Sequence, residues 1–466
     1  YGEEDLVANY RTNHVRYDGL NEPLRLYTTL PLSYLSEEKP CTVHSTHYAI
    51  LTWGIKIQRH IPEMVEEFLG KTQNFWQKWV SDIYIGNFKQ QAMIRSALTL
   101  KLHQYQDTGA IIASATTSLP EFPGSGRTWD YRYCWIRDSY YILAVLHSMG
   151  SFEELKEYGF YIQNVARSHE GRYQPLYSIT GKSELTEKEI PLEGYHGNRP
   201  VRIGNQAYTH IQNDAYGQLL VSFLPLYVDE RFPKHHGHTP STKLIRDILQ
   251  KIDDLMDEPD AGLWEFRNFS QHHTYTYLFH WAGGKAAEKI GLHYEDQDMV
   301  ELARKVSCEA SAWIEKAYDR KRGVYTQAIE TQSLDASLLQ LITMNYLDPN
   351  SDVAKTHLKC LEYELMTSKG LFYRYRHQDD FGEPETTFLV CTYWYVEALA
   401  CVGRLQEAVQ AFEKLLGYSN HLGLFSEDVR SEDGSQWGNF PQTYSHVGLL
   451  NAAFRISRKL DRPIFL

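Results

Sequence analysis

Long apolar runs are missing from this sequence. No stretch of about eighteen consecutive apolar residues occurs, which sets aside a membrane-spanning helix. A basic excess is missing too: Lys and Arg number 47 against 59 Asp and Glu, for a net charge of −12. Nucleic acid would be repelled over most of such a surface. The six cysteines (Cys41, Cys134, Cys308, Cys360, Cys391, Cys401) are scattered with no CxxC pair. Cys391 and Cys401 fall in apolar helical sequence and read as free buried thiols, which fits a reducing, cytoplasmic compartment. There is no GxxxxGK[ST], no GxSxG and no HExxH, so P-loop, α/β-hydrolase and zincin chemistry have no foothold. Candidate metal ligands are sparse. KHHGH (234–238) lies in a polar link without neighbouring acids and reads as a solvated loop. His272 and His273 are adjacent and cannot share a helix face as a ligand pair does, although one of them could line a pocket. Neither a metal nor another cofactor is expected. The first residue is Tyr1 and nothing near it resembles a signal peptide, so a processed or truncated N-terminus is expected.

What is present is an ordinary globular composition with an unusual aromatic content. Hydrophobic residues are 42% and charged residues 23% of 466, which implies one large domain and a smaller one. Tyrosine outnumbers phenylalanine 33 to 19, beside 10 tryptophans. Tyr and Trp join an apolar face to a hydrogen-bonding tip, which suits a half-wet groove whose ligand has C–H faces and hydroxyls. A Tyr-rich packed interior explains the composition equally well. The sharpest instance is GRTWDYRYCWIRDS (126–139), where rings and charges of both signs crowd together.

Residues 1–62 are β-rich and broken by Pro, as in LRLYTTLPLSYL and HYAILTWGIKI. Residues 63–86 read as a linking helical region, with helical period clear from about Phe75, and 87–466 as one all-α domain. About twelve helical segments are expected there, starting near Asn87, Asp138, Ser151, Asp214, Ser241, Thr274, Asp296, Leu334, Asp352, Thr387, Arg404 and Tyr444. Ser151 and Glu154 form the pattern of a capping box, and Gly417 is placed to cap the helix RLQEAVQAFEKLL. Short connections alternate with long ones rich in Gly, Trp, Tyr and charge, at 103–137, 169–213, 257–273, 367–386 and 418–443. Short loops make antiparallel helix pairs, and long loops are usually functional. A closed ring of about six hairpins with the long loops at one end follows. No fixed repeat supports an open solenoid.

Two acids in those loops sit beside large rings. Glu265 follows Trp264 in GLWEFR, and Glu427 follows Phe425-Ser426 in GLFSEDV. A carboxyl against a ring is poorly solvated, which favours its neutral form. One neutral and one ionised carboxyl are what glycosidic bond hydrolysis requires. By pattern alone, each acid could equally cap a helix or pair with Arg267 or Arg430.

The blocks DYRYCWIRD, PVRIGNQAYTHIQNDAYG, GLWEFR, FLVCTYW and GLFSEDV…GNFPQTYSHVGLLNAA, spread from about Arg95 to Ala453, resemble glycoside hydrolase family 15 in content and order. The resemblance implies an (α/α)6 barrel, preceded in bacterial members by a β-sandwich of which residues 1–62 look like the tail end. It implies an inverting, exo-acting α-glucoside hydrolase that releases β-glucose from non-reducing ends. By motif position, Glu265 is then the general acid and Glu427 the general base, with carboxyls about 6.5–9.5 Å apart to admit a water. Arg137 and Asp138 would grip the innermost glucose, with Tyr131 beside the carboxylates and Trp135, Arg202, Trp264, Arg374 and Trp437 as further substrate contacts. The position of Arg374 could slip to Arg376, and the roles of Asn205 and Gln212 stay open. The loops 169–200 and 257–273 would set pocket depth. Where many fungal relatives carry a second acid after the general acid, this chain has Phe266, which leaves the leaving-group side undefined. With nothing after Leu466, no starch-binding module is expected. Malto- or isomalto-oligosaccharides lead as substrates. α,α-Trehalose is the alternative within the family, and a non-catalytic sugar-binding or regulatory protein the alternative outside it. The oligomeric state is open.

Overall fold

The computed structural model describes residues 6–37, 39–40, 42–168, 171–231 and 242–461. The KHHGH stretch and Cys41 lie outside the described residues. The chain divides into two compact units, Tyr1–Asp82 and Ile83–Leu466.

In the first unit, β1 (Val7–Tyr10), β2 (His14–Asp18), β3 (Leu24–Thr28) and β4 (Ala49–Trp53) form an antiparallel sheet in chain order. The period-2 signal is clearest in β3, where Arg25 and Tyr27 are buried between half-buried neighbours. The PLSYL stretch, expected as strand, instead forms a short helix, α1 (Leu32–Ser36), with Pro31 at its cap. Helix α2 (Ile61–Ser81) begins well before Phe75. It has Pro in its first turn and buries none of its residues fully, so no strong apolar stripe marks its start.

The second unit is helical. Among the described residues its helices are α3 (Gln90–Leu102), α4 (Ile136–Met149), α5 (Phe152–Ser168), α6 (Asp214–Val228), α7 (Thr242–Asp254), α8 (Thr274–His293) and α9 (Gln297–Lys316). There follow α10 (Gln340–Thr343, after a 3₁₀ turn at Ala336–Leu339), α11 (Asp352–Leu365), α12 (Leu389–Cys401), α13 (Leu405–Leu416) and α14 (Thr443–Leu460). Helices α4, α6, α8, the α10 segment, α12 and α14 each pack on the next, and α14 packs back on α4, which closes an inner ring. The helices α3, α5, α7, α9, α11 and α13 pack outside it. This is the (α/α)6 barrel expected from the sequence.

Burial explains the two layers. Every residue of α12 is buried, as a helix packed on all sides requires. The outer α7 buries only Ile245, Ile248, Leu249 and Ile252, one face at helical spacing. Helices α6 and α8 meet closely where Gly217 faces Gly283; a Cβ on Gly283 would stand 2.8 Å from the Gly217 Cα. One local expectation is corrected. The Ser151 amide bonds Leu146 O at 2.9 Å, its hydroxyl has no partner, and the Glu154 carboxylate pairs with Lys101 at 2.9 Å, so the chain continues the preceding cap rather than opening a new one. Gly417 caps α13 as expected, although at φ −67 it does so in a right-handed conformation that makes no use of its missing side chain. Cys134, Cys391 and Cys401 are buried free thiols. Among the described residues no helix is long and apolar enough to cross a membrane.

The long connections before α4, α6, α8, α12 and α14 all lead into the N-terminal ends of inner helices. They therefore gather at one end of the ring.

Candidate active site

At that end lies a cleft of about 840 Å³, its open mouth included. Both Glu265 and Glu427 line it. Glu427 is set by backbone pairing: the 428–429 strand sits between 387–388 and 436–437. Leu389 N donates to Glu427 O at 3.0 Å and Glu427 N to Asn439 O at 3.2 Å. Gly438, at φ +79, passes directly behind the side chain, and a Cβ there would stand 2.8 Å from Glu427 Oε2. Glu265 sits in a tight turn at φ 62, a conformation that costs energy for any residue with a Cβ. Buried Asp260 anchors that turn, accepting from Gly262 N at 3.1 Å, Asn213 N at 2.8 Å and Thr276 Oγ1 at 2.9 Å.

The two carboxyl groups are held by one short piece of chain. The Tyr131 hydroxyl donates to Glu427 Oε1 at 2.7 Å, and Trp135 Nε1 donates to Glu265 Oε1 at 2.7 Å. The two rings meet edge to face with centroids 5.4 Å apart. Gln212 Nε2 at 3.2 Å and Arg137 Nη2 at 3.3 Å join Trp135 on Glu265 Oε1. Gln212 in turn accepts from Arg137 Nη1 at 3.1 Å. Among the described residues no hydrogen bond reaches Glu265 Oε2, and Glu427 Oε2 is buried without a partner. Each carboxyl is thus gripped by one oxygen and free at the other.

Arg137 and Asp138 open α4 and line the cleft. Asp138 Oδ1 is buried and unpartnered, and burial pushes this carboxyl up to about 7 against the pull of Arg137. Burial also pushes Glu427 well above the usual carboxylate range. Glu121 adds to the push as a like charge, while the Tyr131 hydrogen bond and Arg374 oppose it.

Trp264 and Arg374 line the cleft. Trp264 Nε1 donates to Asp335 Oδ2 at 2.6 Å, which fixes its ring. Arg376 does not line the cleft; it is exposed and faces Glu383 at 3.8 Å, so Arg374 is the arginine at the site. Arg202 and Trp437 are not brought into the cleft lining either. Arg202 donates to Gly126 O at 3.0 Å and Thr128 O at 2.9 Å, and stacks 4.9 Å behind the Trp129 ring. Trp437 Nε1 bonds Ser435 Oγ at 2.8 Å, and its ring lies 6.3 Å from Tyr195. Residues 171–200 supply no lining residue; Arg374–Phe388 supply that wall instead. His273 is fully buried against Phe266, His272 pairs with Glu330, and neither lines the cleft. Arg267 stacks on Trp129 at 4.6 Å and Arg430 pairs with Glu432 at 3.3 Å, so neither arginine takes a candidate carboxylate.

Sequence reasoning missed Glu121, Trp129, the Arg127–Asp379 pair and Asp380-Phe381, all in the lining. Glu121 carried the cue that singled out Glu265, an acid against a ring, in LPEFP.

Residues 87–454 match the family described as Glycosyl hydrolases family 15. The chain is 36% identical over 477 residues to the trehalase of Mycobacterium tuberculosis, covering 98% of this chain and 68% of that one. It is 33% identical over 398 residues to the trehalase of Thermoplasma volcanium, covering 84% of this chain and 62% of that one. It therefore spans roughly two thirds of the length of these relatives. In fold it is similar to a bacterial glucoamylase complexed with acarbose (TM-score 0.66, 16% identity, 95% of this chain and 73% of that chain). The glucoamylase of Saccharomycopsis fibuligera is also similar (TM-score 0.58, 15% identity, 81% and 98%). With the ring closed, the two carboxyls in one cleft and the match running across almost the whole helical unit, the chain belongs to glycosyl hydrolases family 15.

Proposed function

We propose that this protein hydrolyses α,α-trehalose with inversion at the attacked anomeric carbon. The observation that carries the reaction type is the paired grip of Tyr131 on Glu427 and Trp135 on Glu265, which leaves one free oxygen on each carboxyl. Glu265 delivers a proton from Oε2 to the bridging oxygen as the C1–O bond breaks. Glu427 accepts a proton from a water that attacks C1 from the opposite face. Arg137 and Asp138 hold the hydroxyls of the glucose under attack, converting binding energy into orientation. Trp264 and Arg374 bound the same sugar.

Trehalose replaces the maltodextrin reading because the relatives at 33–36% identity are named trehalase, whereas the glucoamylase likeness rests on fold at 16%. The wall beyond Glu265 agrees with a short substrate. Arg267 lies over Trp129 at 4.6 Å and over Phe381 at 5.3 Å, and Asp380 Oδ2 accepts from Arg267 N at 2.5 Å. Such a wall offers polar contacts to a leaving glucose.

The test is hydrolysis of α,α-trehalose, maltose and isomaltose by the full-length protein, with product anomers followed by NMR before mutarotation. Trehalose should be cleaved fastest, giving α- and β-glucose in equal amounts. Release of α-glucose alone would refute inversion, and faster release from maltose would return the glucoamylase-like reading. Glu427→Gln should abolish turnover.

A further inference from the structure

Glu427 Oε2 and Arg374 Nε are both buried in the same cleft wall, and neither has a hydrogen-bond partner. An unpaired carboxylate oxygen beside an unpaired guanidinium N–H should close into an ion pair. It does not: Arg374 Nη2 is bonded to Glu121 Oε2 instead. Glu121 is 1% exposed and built into its place. Trp129 Nε1 donates to its Oε1 at 3.1 Å, its amide bonds Arg127 O at 3.2 Å, and its carbonyl accepts from Thr386 Oγ1 at 3.1 Å. Arg127 Nε approaches Oε2 at 3.9 Å while its Nη2 is committed to Asp379 and to Gly382 O. Two arginines therefore converge on one glutamate.

We propose that Glu121 is a positioning residue for the reaction: by holding Arg374, with Arg127 also drawn to it, Glu121 keeps a guanidinium off Glu427 and leaves the Glu427 Oε2 oxygen without an ion-pair partner. The proposal rests on Glu427 acting as the base. The charged and titratable groups that face Glu427 are Glu121 and Arg374 in the wall, the Tyr131 hydroxyl at 2.7 Å, Asp428 next in the chain, and Glu265 in the same lining. Arg127, Arg137 and Arg267 line the same cleft, but Arg374 is the cation whose charge acts on Glu427, so its partner decides whether the base stays free. The like charge of Glu121 also keeps Glu427 a stronger base than a salt-bridged carboxylate, and stronger bases accept protons more readily.

The experiment measures kcat/KM for α,α-trehalose against pH in the wild type, E121Q, E121D, R127M and E427Q, with folding checked by circular dichroism and Tm. E121Q is isosteric but uncharged. Arg374 is then released towards Glu427, the base becomes easier to ionise, and the acidic limb of the profile moves down by about one unit or more. Its plateau rate falls about tenfold as the weakened base is occupied. E121D, which keeps the charge, returns the limb towards the wild-type position. R127M removes a countercharge from Glu121 and moves the limb up. A folded E121Q whose limb stays put or rises overturns the proposal. If E121Q does not fold, a limb in R127M that is unmoved or lowered does the same. Turnover retained in E427Q removes the assignment of the base itself, whereas loss of turnover in E427Q with an unmoved limb in E121Q removes only the role of Glu121.

Discussion

Replacing Tyr131 by Phe deletes one hydroxyl and leaves the ring that packs on Trp135. That hydroxyl donates to Glu427 Oε1 at 2.7 Å, in a place where the side chain is buried and its Oε2 has no hydrogen-bond partner. A buried hydrogen bond to a charged group is worth about 1.5–3 kcal/mol, and one pH unit corresponds to about 1.4 kcal/mol. The bond stabilises the ionised carboxylate, so its loss raises Glu427 by about 1–2 units. The acidic limb of kcat/KM, which reports ionisation of the free enzyme's base, moves up by the same amount. Below the limb the variant should lose about 10–100-fold in rate, and on the plateau far less, because the ionised base is then present again. Initial rates of glucose release from α,α-trehalose across pH, at substrate well below KM, give the limb directly. A limb that stays in place, or a loss of rate that is uniform in pH, would refute the assignment of Glu427 as base with Tyr131 as its hydrogen-bond donor. The direction is opposite to that expected for E121Q, so the pair separates a hydrogen bond from a like charge at one carboxyl.

Three further outcomes are expected. Gly438→Ala puts a Cβ 2.7 Å from the Glu427 Cβ at φ +79, so kcat should fall tenfold or more while thermal unfolding reports a loss of only about 1–2 kcal/mol. Full activity in that variant would mean that the backbone at 438 does not fix the base. Gly283→Ala drives a methyl into Gly217 Cα at 2.8 Å and should cost about 1–3 kcal/mol in urea unfolding; a neutral result would mean α6 and α8 separate freely. His357 is fully buried, with Tyr325 N donating to its Nδ1 at 3.3 Å and its Nε2 on Leu338 O at 3.1 Å, an arrangement only the neutral ring can make. Burial lowers it to about 4, so the stability it contributes is present above about pH 6.5 and is lost as pH falls towards 4. The stability difference between wild type and His357→Gln should therefore shrink by about 3 kcal/mol over that interval, and a constant difference would contradict the buried neutral ring.

Periodicity in the sequence marked the helices because it encodes which face meets the interior, a local property. The stripe of Ile245, Ile248, Leu249 and Ile252 in α7 and the largely apolar course of α12 are of this kind. The alternation of short and long connections carried the ring of hairpins and placed the functional loops at one end. Motif letters carried Glu265 and Glu427, and the crowded stretch from Gly126 to Ser139 announced a surface both aromatic and charged.

Only the tertiary structure decided what that stretch does. It does more than line the cleft, because Tyr131 and Trp135 hydrogen-bond the two carboxylates themselves, across 296 and 130 residues of chain. The bond between Arg374 and Glu121 spans 253 residues, and nothing local in either segment specifies it. Arg202 and Trp437 carry suggestive letters yet spend their polar atoms on Gly126, Thr128 and Ser435 outside the cleft lining. The physical reason is the closure of the ring. Packing α14 back on α4 brings the first and last long loops together, and that closure sets which distant side chains share one low-dielectric cleft and so which charges must answer one another.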